Sequence, residues 1–283
     1  MLAFIAKRLG SGILLLGVIS TLAYFLVFTT TDGVALRLLG DMATPEQLRA
    51  KEVELGLDRP IFERFLSWAT HALQGDFGTS WFTSESIISS LANRLPVTIT
   101  IVFVAIFVAA ILAVILGMAA AIKGGWIDRM VQVVAIAGFA VPAFVVAIGL
   151  VFVFAVNWML LPATGWVPLA DNPGMWAASI LLPAASLVVA TVASSAQQIR
   201  SAIKSVMERD WVRTLRSRGV PEREILFKHV LRSAAPAGLT VLSLQFVGML
   251  GGSVIIENIF ALPGVGQLAV TSTGLGDTPV VMG

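Results

Sequence analysis

The chain has 283 residues, of which 57% are apolar and only 13% charged, and its formal net charge is +2. With a mean hydropathy of +0.89, no single soluble core could hide so much apolar surface, so lipid must be part of the solvent. The small net charge excludes a global polyanion-binding field, and with it nucleic acid as a partner. The absence of cysteine excludes disulfides, Cys-ligated zinc and thiol catalysis.

Residues 9–28 form the first apolar run, preceded by Lys7 and Arg8. Its length matches the about 20 residues that cross a bilayer and exceeds the apolar region of a secretory signal. No small-x-small cleavage site follows it, since the next residues are Thr29-Thr30-Thr31-Asp32-Gly33. Residues 1–30 are therefore read as the N-terminus and a retained first span.

Residues 31–96 mix charges of both signs and carry helix punctuation. Thr44-Pro45-Glu46 reads as N-cap, N1 proline and first-turn acid. Residues 60–72 place Ile61, Phe62, Phe65, Leu66, Trp68 and Ala69 at amphipathic spacing. The segment is too short for a catalytic domain, and a helical scoop on the outer membrane face is expected. Such a helix has two readings, contact with an external protein or packing on itself. His71 has no second His or Cys nearby and reads as a surface residue rather than a metal ligand.

Residues 97–283 read as an all-α membrane core. Four further spans are expected, over 97–122, 130–156, 176–196 and 239–256. The long apolar runs exclude a strand-based barrel, which alternates. The second span opens after Leu95-Pro96, and the third carries Gly138 and Pro142. Pro142 and Pro183 are candidates for kinks, which alone do not locate a pathway. Lys and Arg concentrate before span one, between spans two and three, and between spans four and five, whereas 157–175 and 257–283 have none. The positive-inside rule then places the N-terminus in the cytoplasm, with Trp158, Trp166 and Trp176 in an outer aromatic belt. Five spans would leave the C-terminus outside, so a sixth is expected.

The cytoplasmic stretch 198–235 carries most of the information. From Gln197 to Ala235 the chain is basic and helical in pattern but punctuated by Ser217-Arg218-Gly219-Val220-Pro221-Glu222; Gly219 suits a left-handed helix stop, and Pro221-Glu222 suits a new first turn. The expected form is helix, corner, helix. Its basic residues have two readings: orientation with attraction to anionic lipid, or a docking helix whose arginines reach acidic groups of a cytosolic protein. The corner favours docking, as do Trp211, Val212, Leu215, Ile225, Leu226 and Val230, which would form a face buried against a partner.

Farther on, Glu257 lies at the outer end of span five beside Asn258. An acid at membrane depth is a functional candidate by default. It could meet the amino terminus of a solute or hold a hydrogen-bonded corner beneath the turn Pro263-Gly264-Val265-Gly266. No Gly-x-x-x-x-Gly-Lys-Ser/Thr phosphate cradle occurs, and no nucleophile–base constellation suggests an enzyme.

Asp210-Trp211-Val212-Arg213-Thr214-Leu215-Arg216-Ser217-Arg218-Gly219, with Lys228-His229-Val230-Leu231-Arg232 after it, resembles the coupling loop of bacterial binding-protein-dependent ABC importer permeases. The nearer likeness is to the peptide and nickel subfamily, of the dipeptide and oligopeptide permease B type. Leu55-Gly56-Leu57-Asp58-Arg59-Pro60 with Gln74-Gly75-Asp76-Phe77-Gly78 resembles that subfamily's outer segment. Residues 257–268, Glu-Asn-Ile-Phe-Ala-Leu-Pro-Gly-Val-Gly-Gln-Leu, resemble its signature after span five. Leu215 departs from the alanine common there.

The resemblance implies a type I importer fold in the bacterial inner membrane, with a sixth span. It implies a second homologous permease, two cytosolic ATPases that carry the ATP and magnesium, an extracytoplasmic solute-binding protein and a peptide substrate, with no cofactor in this chain. ATPase coupling falls to Asp210, Arg213, Thr214, Leu215, Arg216, Arg218, Gly219 and His229. Glu257, Asn258, Pro263, Gly264 and Gly266 become outer-gate candidates, and Asp58, Arg59, Asp76 and Trp81 candidates for touching the binding protein. A nickel or other small-solute importer is the alternative. An ion-gradient transporter would predict acids inside spans one to four or inverted repeats, and neither is visible; a membrane scaffold is a further reading.

Overall fold

The computed structural model describes residues 2–28 and 33–283. The expected boundary between first span and outer segment, at residues 30 and 31, lies outside them. The described residues are helical, without strands beyond one isolated bridge between Thr79 and Ser86. Among them, four helices are long and apolar enough to cross a membrane, or five if one bent pair counts as a single span.

The chain divides into two compact units, one of residues 1–94 with 268–283 and one of residues 95–267. In the first, α1 (Leu2–Phe28) exposes Leu9, Ile13, Leu16 and Leu22, as a helix bathed in lipid should. The short helix α2 (Val34–Leu39) is followed by α3 (Pro45–Glu54), which opens with a reciprocal capping box. Gln47 N–H donates to the Thr44 hydroxyl at 3.3 Å, and Thr44 N–H donates to Gln47 Oε1 at 2.9 Å. The amphipathic helix α4 (Ile61–Leu73) lays its aromatic face on α1: Phe65 meets Tyr24 at 5.3 Å between ring centroids, and Phe62 meets Phe25 at 5.4 Å. Edge-to-face pairs of this kind contribute about 0.5–1.5 kcal/mol each beyond area burial.

In the second unit α8 (Pro173–Met207) is the central packing element. It lies against α6 (Gly125–Ala140), α7 (Ala143–Asn157) and α10 (Glu222–Ile259). Gly117 of α5 (Ile87–Lys123) allows close approach to α8, since a Cβ there would sit 2.8 Å from the Ala196 carbonyl oxygen. Two apolar clusters result. One joins Ile101 and Ala105 to Leu187, Met249 and Ile256; the other joins Ala113 to Ile199, Ile203 and Val206.

Two sequence expectations need correction. The second span does not open after Pro96: α5 begins at Ile87 and carries Pro96 inside it. The third span is not one rod. Its helix ends at Ala140, and the chain turns by 93° into α7. Pro142 has no N–H to continue the ladder, and its ring drives Val141 out of helical geometry, to φ −95° and ψ 116°. Pro183, by contrast, stays inside α8.

Candidate functional site

The corner expected around Gly219 is built by a specific pattern of hydrogen bonds. Helix α9 (Asp210–Ser217) closes with Gly219 N–H donating to the Arg216 carbonyl at 3.0 Å and Val220 N–H donating to the Leu215 carbonyl at 3.2 Å. This paired closure is a Schellman motif, and it needs a left-handed residue, which Gly219 supplies at φ +76°. Leu215 and Val220 pack on the same apolar cluster, the contact that accompanies this motif. Pro221 then presets the chain for α10, and Arg216 clasps Glu222 across the corner with two hydrogen bonds. That bond holds the Arg216 guanidinium above its ordinary value.

The face of α9 follows from its spacing. Val212 is fully buried, with Trp211 and Leu215 half-buried beside it, against Ile203, Ile225 and Val230. Asp210, Arg213, Thr214, Arg218 and Gly219 are exposed. The apolar residues expected to be buried against a partner are thus buried inside the chain itself. The corner is rigid because it is packed, and the surface it offers outward is polar. His229 stands edge-on to Trp211 with centroids 6.5 Å apart.

One cluster escaped sequence reading. Asp128, in the first turn of α6, is buried and accepts from Arg200 Nε and from Arg200 Nη2, the latter at 2.6 Å, from Lys204 at 2.9 Å and from Gln132 at 3.2 Å. Arg200 and Lys204 belong to the basic stretch of the sequence, where nothing names Asp128 as their partner. The available signal was their spacing: four residues apart, they share one face of α8.

At the other end of α10, Glu257 is fully buried. Its Oε1 accepts from the Thr98 hydroxyl at 2.7 Å and its Oε2 from Gln267 N–H at 3.0 Å. The Thr98 oxygen in turn accepts from Val265 N–H at 3.0 Å. The helix ends in a second Schellman pattern, Leu262 N–H to the Glu257 carbonyl and Ala261 N–H to that of Asn258, with Ala261 left-handed at φ +49°. The following turn folds over the carboxylate so tightly that a Cβ at Gly264 would lie 2.3 Å from Glu257 Cδ. One at Gly266 would lie 2.6 Å from Val254 Cα. Pro263 is exposed on this turn. Asn258 does not join the cluster; its amide donates to the Val254 carbonyl at 2.8 Å.

In the first unit, Arg59, Asp76 and Trp81 line one cavity of about 360 Å³ floored by Tyr24 and Trp68. Asp58 is exposed but is not part of that lining. Trp81 is placed by a carboxylate that sequence reading missed: buried Asp277 accepts from Trp81 N–H at 3.1 Å and from the Ser80 hydroxyl at 2.5 Å.

Two family matches cover most of the chain. Residues 113–283 match the binding-protein-dependent transport system inner membrane component, and residues 1–102 match the N-terminal part of the membrane component of such systems. A protein of Brucella abortus, a peptide transport system permease by name, is 37% identical over all of this chain and 90% of its own length. A glutathione transport system permease protein of Salmonella typhimurium is 33% identical over 99% of this chain and 90% of its own. A protein of Sinorhizobium fredii, by name a peptide ABC transporter permease, is 30% identical over 98% and 89%. With its all-helical, multi-span architecture, the chain belongs to the inner membrane component family of binding-protein-dependent transport systems.

Proposed function

We propose that this chain is a permease subunit of an ATP-driven peptide importer, contributing half of the translocation pathway and hydrolysing nothing itself. The relatives named for peptide and glutathione transport support a peptide cargo over a nickel chelate. On this reading the N-terminus is cytoplasmic, a second permease completes the pathway, and two ATPases supply the motion from their own ATP and magnesium.

The observation that carries the coupling role is the α9 corner. Its apolar face is packed into the bundle while Asp210, Arg213, Thr214 and Arg218 face outward. A lever must be fixed at its base and polar at its tip. Motion of an ATPase pressed on that tip passes directly into α8 and α10, the two helices that flank it. Interfaces of this kind switch between discrete arrangements rather than deforming smoothly. The aromatic-floored cavity beside Arg59, Asp76 and Trp81 is the surface assigned to the solute-binding protein, with Asp58 as an exposed neighbour. The turn of Pro263, Gly264 and Gly266 over Glu257 is assigned to the outer gate.

The test is uptake of labelled di- and oligopeptides, against nickel, in cells with and without this gene. Loss of peptide uptake on deletion is expected. Unchanged peptide uptake with lost nickel uptake would overturn the cargo assignment.

A further inference from the structure

Between α6 and α8 lies a groove of about 410 Å³, within the usual range of small-ligand sites. Gln132, Ser194, Gln197 and Gln198 line it together with Ala135 and Ile136, and no acidic or basic side chain does. Three carboxamides share this lining, and a buried carboxamide atom is costly unless it meets a polar group, water or a solute.

These side chains are only partly satisfied within the chain. Gln245 of α10 donates to the Ser194 hydroxyl at 2.6 Å, which ties the groove to a third helix. Gln132 donates to Asp128, one turn nearer the Arg200 and Lys204 cluster. Gln197 Oε1, however, is buried and accepts no hydrogen bond from a described residue, and Gln198 is exposed. Helix-to-helix glue would have closed these groups on one another. Here a buried acceptor is left waiting beside open donors.

We propose that this groove is a subsite for the backbone of a peptide in transit. The inference rests on the peptide-importer reading and deepens it. A peptide linkage presents one N–H and one C=O, the complement of a glutamine carboxamide, which offers both in return. With no ion in the lining, the site holds neither the ammonium nor the carboxylate of a free peptide. It reads the repeating amide and ignores the side chains, as passage of peptides of varied sequence requires. Weak neutral bonds also release their cargo, whereas a desolvated ion pair would retain it.

Residues 1–283 hold no cysteine, so Gln198→Cys and Gln132→Cys each place a single thiol among them, in the groove. The assembled transporter, with its ATPases and binding protein, is treated with a charged methanethiosulfonate reagent with and without saturating tri-alanine, both nucleotide-free and during ATP turnover. Labelling is read on this subunit after separation. Several-fold slower labelling with tri-alanine is expected at one position or both. Labelling unaffected by the peptide, or none at either position, overturns the groove assignment. Uptake of labelled tri-alanine by the unsubstituted assembly is measured in parallel. If that uptake is absent, the peptide reading falls and the groove assignment with it; if it is normal while the thiols stay unprotected, only the groove assignment falls.

Discussion

The Thr98 hydroxyl donates to Glu257 Oε1 at 2.7 Å, although 159 residues separate the two in the chain. Thr98 also accepts from Val265 N–H, so one hydroxyl ties α5 to both the end of α10 and the turn beyond it. Thr98→Val keeps the side chain's shape but strands two buried groups. A loss of about 1–3 kcal/mol is expected, read as a lower midpoint of thermal unfolding in detergent; an unshifted midpoint would show the bond to be dispensable.

The two glycines of the turn above that carboxylate leave no room for a Cβ. Gly264→Ala would drive a methyl into Glu257, while Gly266→Ala would meet the α10 backbone at Val254. Overpacking of this sort costs about 1–3 kcal/mol or more. The Gly266 variant is expected to be the worse tolerated, because backbone cannot swing aside. Yield of monodisperse protein on size-exclusion chromatography ranks the two.

Ala261 offers the opposite test. It holds a left-handed conformation at φ +49°, where an L-residue loses roughly 1–2 kcal/mol that glycine does not. Ala261→Gly should therefore raise the unfolding midpoint, offset in part by the greater freedom glycine has when unfolded.

The corner gives a test of coupling that separates lever from scaffold. Arg216 is bound to Glu222 within the chain, so reversing it disturbs the fold as well as any docking. Arg213 is exposed, with only a 3.5 Å pairing to Asp210. Arg213→Glu is expected to lower ATP-driven uptake severalfold at unchanged thermal midpoint, whereas Gly219→Pro should lower both. Normal uptake by Arg213→Glu removes that residue from the docking surface.

Asp128 gathers Arg200, Lys204 and Gln132. Asp128→Asn leaves two cations facing one another without their counter-charge, and a lower midpoint is expected. The paired change Asp128→Leu with Arg200→Leu should recover part of the loss. A double-mutant cycle with no coupling would mean the cluster is ornamental to stability.

Local chemistry made several of these features legible in the chain itself. The N-cap at Thr44, the corner at Gly219 and the long apolar runs follow from neighbours within a few residues, where dihedral preference and hydropathy decide. The break in the third span was half-visible: Pro142 announced a disruption, but whether neighbouring helices would absorb it, as they do for Pro183, depends on packing that no local rule encodes.

What only the tertiary structure decided is which side chains meet. Trp211, Val212 and Leu215 announced a buried face whose expected owner was a partner protein, and the fold assigns it to the chain's own Ile203, Ile225 and Val230. Likewise Glu257 was a visible acid, while Thr98, 159 residues away, carried no sign of being its donor. Sequence fixes the period and sign of each helix face through short-range sterics and solvation. Partner choice across helices depends on close approach, which small residues such as Gly117 permit only once the whole bundle has packed.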